Sequence, residues 1–181
     1  MSQRIIGLAG YAGSGKDALA DMLVSLDGFE RRAFADPMKD FLVKLNPLVW
    51  RNGIGMNTLE NIVKDEGWDK AKKWPEVREL LQRLGTEAGR AVLGEDIWVN
   101  ALFEKPIIKP LVISDVRFEN EARAIKSRGG IIIRIIRDGV GPANGHKSEN
   151  AYQKNDYVIF NNGTKADLYE SFGNIWDVVY G

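Results

Sequence analysis

The seven residues Gly10-Tyr11-Ala12-Gly13-Ser14-Gly15-Lys16 match the first seven positions of the Walker A pattern. They stand between a short β-branched run, Arg4 to Ala9, and a helical pattern from Asp17 to Leu26. In that setting the glycines let successive main-chain N–H groups turn inward as an anion nest. The helix that begins near Lys16 points its positive dipole end at the same place, and Lys16 can reach β- and γ-phosphates. All three effects favour a bound nucleoside triphosphate over a Gly-rich turn that only joins strand to helix. Gly13, Ser14, Gly15, Lys16, Asp17 and Ala18 are therefore the expected ATP-binding residues. Asp17 stands where Ser or Thr usually gives a hydroxyl to Mg²⁺. A carboxylate is a hard oxygen ligand for that ion, but its charge repels phosphates unless the metal is present, so Asp17 is an expected metal ligand and Mg²⁺ dependence should be tight.

Further chemistry is spaced along the chain. Leu111-Val112-Ile113-Ser114-Asp115 has the form of a Walker B strand with a carboxylate at its tip. Asp115 is the second metal candidate, or else the cap of the helix that follows. Arg117, just beyond, can bridge donor and acceptor phosphates and offset charge on the transferring group, or lie on the surface. Inside the inserted helix, Arg83 and Arg90 lie seven residues apart and therefore on one face, two turns from each other. There they could clamp an acceptor phosphate bidentately, or Arg83 could pair with Glu87 on a solvated face. Arg134 and Arg137 precede a Gly/Pro/Asn loop, 139–145, with His146 and Lys147 behind it. Cations on both sides of such a loop suggest a short lid over phosphates, at about 137–147, or an ordinary surface loop.

These groups need elements to position them, and the pattern supplies βα units. Strands are expected at 29–35, 111–115, 131–137 and 157–160, with helices at 36–45, 119–128 and 164–179; on the last, Leu168, Phe172, Ile175 and Trp176 share a face. Repeated βα units imply a mainly parallel sheet of five strands covered on both faces, an α/β three-layer sandwich, with ligands at the carboxyl ends of the strands. The stretch from about Asn46 to Lys105 lacks a convincing strand. It carries a long helical pattern from Pro75 to Leu93 and another around 96–103, and reads as an all-helical insertion between core segments 1–45 and 106–181 of one domain.

Composition narrows the partners. A chain of 181 residues that is 44% apolar can bury one sizeable core. With 25 acidic and 25 basic side chains, no overall charge draws it to nucleic acid or an anionic membrane, so phosphate must be held by locally placed cations and the partners are expected to be small molecules. The absence of cysteine excludes a disulfide framework and a thiol nucleophile, and a single histidine excludes an imidazole metal cluster. The short apolar run at Arg4–Ala9 is too brief for a signal peptide or membrane span, and a cytoplasmic protein is expected. Oligomeric state is not legible.

Gly10 to Asp17 (GYAGSGKD), Phe34 to Lys39 (FADPMK), Leu81 to Trp98 (LQRLGTEAGRAVLGEDIW), Asp115 to Glu121 (DVRFENE), His146 to Glu149 (HKSE) and Asp156 to Thr164 (DYVIFNNGT), in this order, resemble the bacteriophage-type deoxynucleoside monophosphate kinases. The resemblance runs over nearly the whole chain. It implies an adenylate-kinase-like P-loop fold in which the insertion binds the acceptor and the 137–147 loop is a short lid. By the same resemblance Arg83, Arg90 and Arg117 hold the acceptor nucleotide, and Asn161, Asn162, Gly163 and Thr164 lie against the adenine of ATP. Asp36, Lys39 and His146 are further candidates for the substrate side, Asp36 binding sugar or base or else capping its helix. Lys16, Arg117 and a lid cation such as Arg137 would serve the transferring phosphoryl group with Mg²⁺. An aspartate at position 17 is usual in this family.

Two other readings compete. The 156–164 stretch also resembles dephospho-coenzyme A kinases, in which Asp36 would be the base for a hydroxyl acceptor. A monophosphate, with a second pKa of about 6, needs positioning and charge compensation instead. A non-catalytic nucleotide switch would need the loop but not the several arginines around it. Base preference is not readable from residues; deoxyadenosine monophosphate is the expectation, on fold analogy alone.

Overall fold

The computed structural model describes residues 4–51, 55–141 and 154–181, which form two compact units, one of residues 4–34, 103–141 and 154–181 and one of residues 35–51 and 55–102. The first unit holds a five-stranded sheet of β1 (Ile5–Ala9), β2 (Glu30–Arg32), β5 (Leu111–Ile113), β6 (Ile131–Ile136) and β7 (Tyr157–Phe160), in the order β2-β5-β1-β6-β7. Every pairing is parallel; Ile6 faces Val112 on one side and Ile131 on the other. All five residues of β1 are buried, as expected of a central strand covered on both faces.

One face of the sheet packs under α1 (Lys16–Asp27) and a C-terminal helix, α9 (Lys165–Tyr180), through Ile6, Leu8, Leu19, Leu23, Ile133, Ile159, Leu168 and Phe172. Ile175 and Trp176 join this cluster from α9, so the expected apolar face of that helix is the one it buries. On the other face lies α8 (Glu119–Lys126). Its Ile125 approaches so closely that a Cβ on Gly7 would sit 2.7 Å from the Ile125 and Ile132 Cδ1 atoms, so a larger residue there would have to displace those side-chain tips. Helices therefore cover both sides, and the three-layer α/β arrangement expected from the βα repeats is present.

The second unit has its own core of Leu42, Val49, Leu59, Ile62, Ala71 and Val77. It comprises α2 (Ala35–Leu45), an antiparallel hairpin of β3 (Leu48–Arg51) and β4 (Gly55–Thr58), α3 (Leu59–Glu66), α4 (Trp68–Ala71), α5 (Pro75–Gln82), a π-helical turn at Arg83–Ala88, α6 (Gly89–Leu93) and the start of α7 (Ile97–Glu104). Pro75 opens α5, where its missing N–H has no helical partner to lose. Two expectations are corrected. The segment is not all helical, because Leu48-Val49-Trp50 pairs with β4 and buries Val49. The compact unit also begins at Ala35 rather than near Asn46, because α2 contributes Leu42 to this core.

Candidate active site

The loop after β1 curls around its own main chain. Gly10 and Gly15 have φ of 144° and 105°, values that side chains disfavour, and space reinforces the requirement. A Cβ on Gly10 would lie 2.5 Å from the Ile135 carbonyl oxygen, and one on Gly15 would lie 2.1 Å from the Asn161 Nδ2. The Ser14 N–H donates to the Tyr11 carbonyl at 3.1 Å and closes the turn. The Ser14 Oγ is buried and has no hydrogen-bond partner, although it lies inside the curl, 2.7 Å from where a Gly10 Cβ would stand. A buried hydroxyl without a partner is costly, and an anion seated in the loop would satisfy it. Lys16 opens α1 and is only 9% exposed, with its Nζ 3.2 Å from the Asp17 carboxylate. The loop thus has the form of a phosphate cradle: a helix N-terminus, a poised ammonium group and an unsatisfied donor.

Beside the cradle, Asp17 does not stand alone. Arg31, in edge strand β2, donates from Nη2 to Asp17 Oδ1 at 2.6 Å, from Nη1 to Asp21 Oδ1 at 2.5 Å and from Nε to Ser114 Oγ at 3.2 Å. Asp115 lies just past β5, and one of its carboxylate oxygens accepts the Phe34 N–H at 2.7 Å. Among the described residues no group of three or more His, Cys, Asp or Glu is arranged to hold a metal ion. A magnesium ion keeps water and substrate phosphates as most of its ligands, so one or two carboxylates, such as Asp17 and Asp115, fit that mode of binding.

The segment from Asp115 to Phe118 is fixed from below. Glu121, 2% exposed in the first turn of α8, accepts the main-chain N–H groups of Arg117 at 2.7 Å and Phe118 at 3.0 Å. Arg117 itself is exposed, with its main chain held and its guanidinium at the surface.

After β7, the Asn161 side chain turns under the cradle and donates to the Ser14 carbonyl at 2.8 Å, while its own N–H donates to Ile136. Asn162 exchanges two hydrogen bonds with Asp138, at 2.8 and 2.9 Å, and so ties the post-β7 loop to the end of β6. Thr164 caps α9 in a reciprocal box with Asp167, and these hydrogen bonds, the main-chain N–H of Thr164 foremost, hold the Asp167 carboxyl below its usual range. Arg134 sits in β6 opposite Ala9, and Arg137, exposed, follows the strand. His146, Lys147, Ser148 and Glu149 lie outside the described residues.

In the second unit, Asp36 and Lys39 pair one helical turn apart on α2, at 3.3 Å. Arg83 is exposed at the start of the π-helical turn, and Arg90 is half-buried in α6 with its Nη1 donating to the Glu95 carbonyl at 2.8 Å. The α-helical phase that would put these two arginines on one face does not carry through a π-helical turn, so the seven-residue spacing loses its force as an argument. The turn is built in. The Gly89 N–H reaches back five residues to the Leu84 carbonyl, and the Trp98 indole N–H donates to the Gly85 carbonyl at 3.2 Å. Trp98 presses so close that a Cβ on Gly89 would meet its ring at 2.6 Å.

Sequence reasoning did not single out Arg31, Asp21 or Glu121 as site residues, nor the packing of Asn161 beneath Ser14. No local signal marks them, since each acts on a partner distant in the chain or on main-chain atoms.

A family model described as deoxynucleotide monophosphate kinase matches residues 49–172. A curated relative from Acanthamoeba polyphaga mimivirus, whose name assigns it provisionally as a deoxynucleotide monophosphate kinase, is 32% identical over 182 residues, covering 91% of this chain and 92% of its own. Similar solved structures include a shikimate kinase from Aquifex aeolicus, 15% identical with a TM-score of 0.45 over 98% of this chain and 99% of its own. Another is a dephospho-CoA kinase from Campylobacter jejuni, 14% identical with a TM-score of 0.43 over 98% of each chain.

Proposed function

The chain belongs to the deoxynucleotide monophosphate kinase family, and from that premise we propose that it transfers the γ-phosphate of ATP to a deoxynucleoside monophosphate to give the diphosphate. The observation that carries the donor half of this reading is the buried, unpartnered Ser14 hydroxyl inside a loop that ends on Lys16 at the N-terminus of α1. Gly13, Ser14, Gly15, Lys16, Asp17 and Ala18 hold the ATP phosphates. Asn161 supports the cradle from beneath, and the main chain around Gly163 lies toward the adenine.

Lys16, Arg117 and Arg137 offset the charge that spreads over the transferring phosphoryl group, which otherwise needs little covalent help from the protein. Asp17 and Asp115 would hold Mg²⁺, directly or through water, and the ion would supply further charge neutralisation on the phosphates. Arg83, Arg90 and Arg117 take the acceptor phosphate, and Asp36, Lys39 and His146 serve the rest of the acceptor. No general base is required, because the acceptor phosphate is largely dianionic at neutral pH. Deoxyadenosine monophosphate is the proposed acceptor, on fold analogy. The proposed compartment is the cytoplasm. Among the described residues no helix is long and apolar enough to cross a membrane.

The test is a coupled ADP-release assay with ATP, Mg²⁺ and each deoxy- and ribonucleoside monophosphate in turn, together with dephospho-coenzyme A. Turnover with one or more deoxynucleotides is expected. Turnover with dephospho-coenzyme A alone would replace this reading by one in which Asp36 is a catalytic base. No turnover with any acceptor, despite ATP binding, would leave a nucleotide-binding module.

A further inference from the structure

An aspartate next to the Walker A lysine sets an electrostatic problem: a fixed negative charge stands where the β- and γ-phosphates must come. The structure contains a fixed positive charge placed against it. In β2 successive side chains point to opposite faces, and Arg31 and Arg32 divide accordingly. Arg32 is 8% exposed and bonds Glu30 at 2.7 Å and the Lys105 and Pro106 carbonyls at 2.8 and 2.7 Å, a contact set that serves packing. Arg31 turns to the face of α1 and spends three nitrogens on three anchors: Asp17, Asp21 one turn further along the helix, and Ser114 at the end of β5.

Asp17 and Asp21 are i,i+4 on α1, a spacing at which like charges repel, and one guanidinium bridges both. The other oxygen of Asp17 lies 3.2 Å from Lys16 Nζ. The carboxylate of Asp17 is therefore held between two cations, one of which belongs to the cradle. The Arg31 and Asp17 side chains are 33% and 59% exposed, so solvent screens the pair and its contribution to fold stability is small. The Ser114 bond gives the guanidinium an anchor outside α1, at the strand end that carries Asp115.

We propose that Arg31 is a positioning residue of the donor site: it is the built-in countercharge of Asp17, which lets an aspartate stand beside the phosphate cradle without expelling the polyphosphate. This rests on the reading of the loop as an ATP-phosphate site. It differs from a simple metal-ligand role for Asp17 in one measurable respect, because Arg31 compensates Asp17 whether or not a divalent ion is present.

The experiment is equilibrium binding of ATP, with excess EDTA and again with Mg²⁺, to wild type, Arg31→Met, Asp17→Ser and the double variant, each checked for folding by thermal melt. Without metal, Arg31→Met should bind ATP about tenfold more weakly, the order of one lost charge interaction at a partly exposed site, and Mg²⁺ should recover part of the loss. The double variant should return to within about threefold of wild type, because removing both charges of the pair leaves the net charge beside the loop unchanged. Asp17→Ser alone, with Arg31 left uncompensated, should bind metal-free ATP about tenfold more tightly, and this arm does not depend on whether Arg31→Met folds. Unchanged metal-free affinity in Arg31→Met, a double variant no better than Arg31→Met, or weaker or unchanged binding in Asp17→Ser would each overturn the proposal. Failure of the wild-type chain to bind ATP with or without Mg²⁺ would instead refute the donor-site reading, and this proposal with it.

Discussion

The side-chain amide of Asn161, at the end of β7, donates to the main-chain carbonyl of Ser14 over 2.8 Å, and the same amide nitrogen lies 2.1 Å from where a Cβ on Gly15 would stand. Asn161 is 6% exposed, so the bond is buried, and it joins the last strand of the sheet to the phosphate loop that follows the first. Truncation to alanine leaves the Ser14 carbonyl without this partner and opens a gap under the loop. Asn161→Ala should lose about 1–3 kcal/mol of stability. Because the loop beneath the phosphates loosens, KM for ATP should rise more than kcat falls. Urea unfolding and steady-state kinetics check both, and a change in kcat alone would contradict the support role.

Gly89 makes a prediction for the second unit. A Cβ there would lie 2.3 Å from the Leu84 carbonyl oxygen and 2.6 Å from the Trp98 ring. Gly89→Ala must push Trp98 away or undo the π-helical turn, at a cost of about 1–3 kcal/mol, which a urea melt would report. Trp98→Phe keeps most of the ring but removes the donor to Gly85, and should cost about 1–2 kcal/mol. If Arg83 and Arg90 depend on that turn for their placement, both variants should also raise KM for the acceptor while leaving KM for ATP unchanged.

Gly173 offers the opposite case. It lies inside α9, its φ is outside the left-handed region, and an added Cβ would meet nothing within 4 Å. Nothing in the packing calls for glycine, so Gly173→Ala should stabilise the chain by about 0.5–1 kcal/mol through helix propensity and a less flexible unfolded state. A thermal melt that moves downward would mean that the site has a neighbour which the packing does not reveal.

Acid should weaken the fold at two identifiable carboxyls. The hydrogen bond from Arg32 holds Glu30 below its ordinary value of 4.5, and the hydrogen bonds from Thr164 hold Asp167 below 3.8. Both bind protons less readily folded than unfolded, so their stabilisation is fully present above those ordinary values and is lost as pH falls through the depressed folded ones. Glu30→Gln and Asp167→Asn should therefore be less stable than wild type at pH 7, with the difference shrinking by pH 3. Urea midpoints at the two pH values measure this, and a difference that does not change with pH would contradict the ionised contacts.

Much of the sheet unit was legible because its signals are local. Four apolar runs, a Gly-rich turn before Lys16 and the apolar face of α9 each declare an element within a few residues. The β3–β4 hairpin was not, since Leu48-Val49-Trp50 is brief, follows Pro47 and shows no long alternation. The π-helical turn was invisible for a different reason: Pro75 to Leu93 keeps a helical apolar pattern, and the interruption depends on Trp98, a residue outside that stretch. Arg31 reads locally as one charge in a charged edge strand, and its three partners lie 10, 14 and 83 residues away. Glu121 acts on main-chain N–H groups, which leave no mark in side-chain patterns. The places of Lys16, at the start of α1, and Asp115, just past β5, were legible because each stands at the end of an element that its own neighbours declare.

The most direct test follows the phosphoryl group itself. ATP labelled in its γ-phosphate is mixed with the chain, Mg²⁺ and a deoxynucleoside monophosphate, and the products of a single turnover are separated for wild type and Lys16→Ala. Label should appear in the deoxynucleoside diphosphate, with none on the protein at any time, and Lys16→Ala should remain folded but yield no labelled diphosphate. Label released only as inorganic phosphate, label retained on the protein, or near-normal transfer by Lys16→Ala would contradict direct transfer from a phosphate cradle built on Lys16.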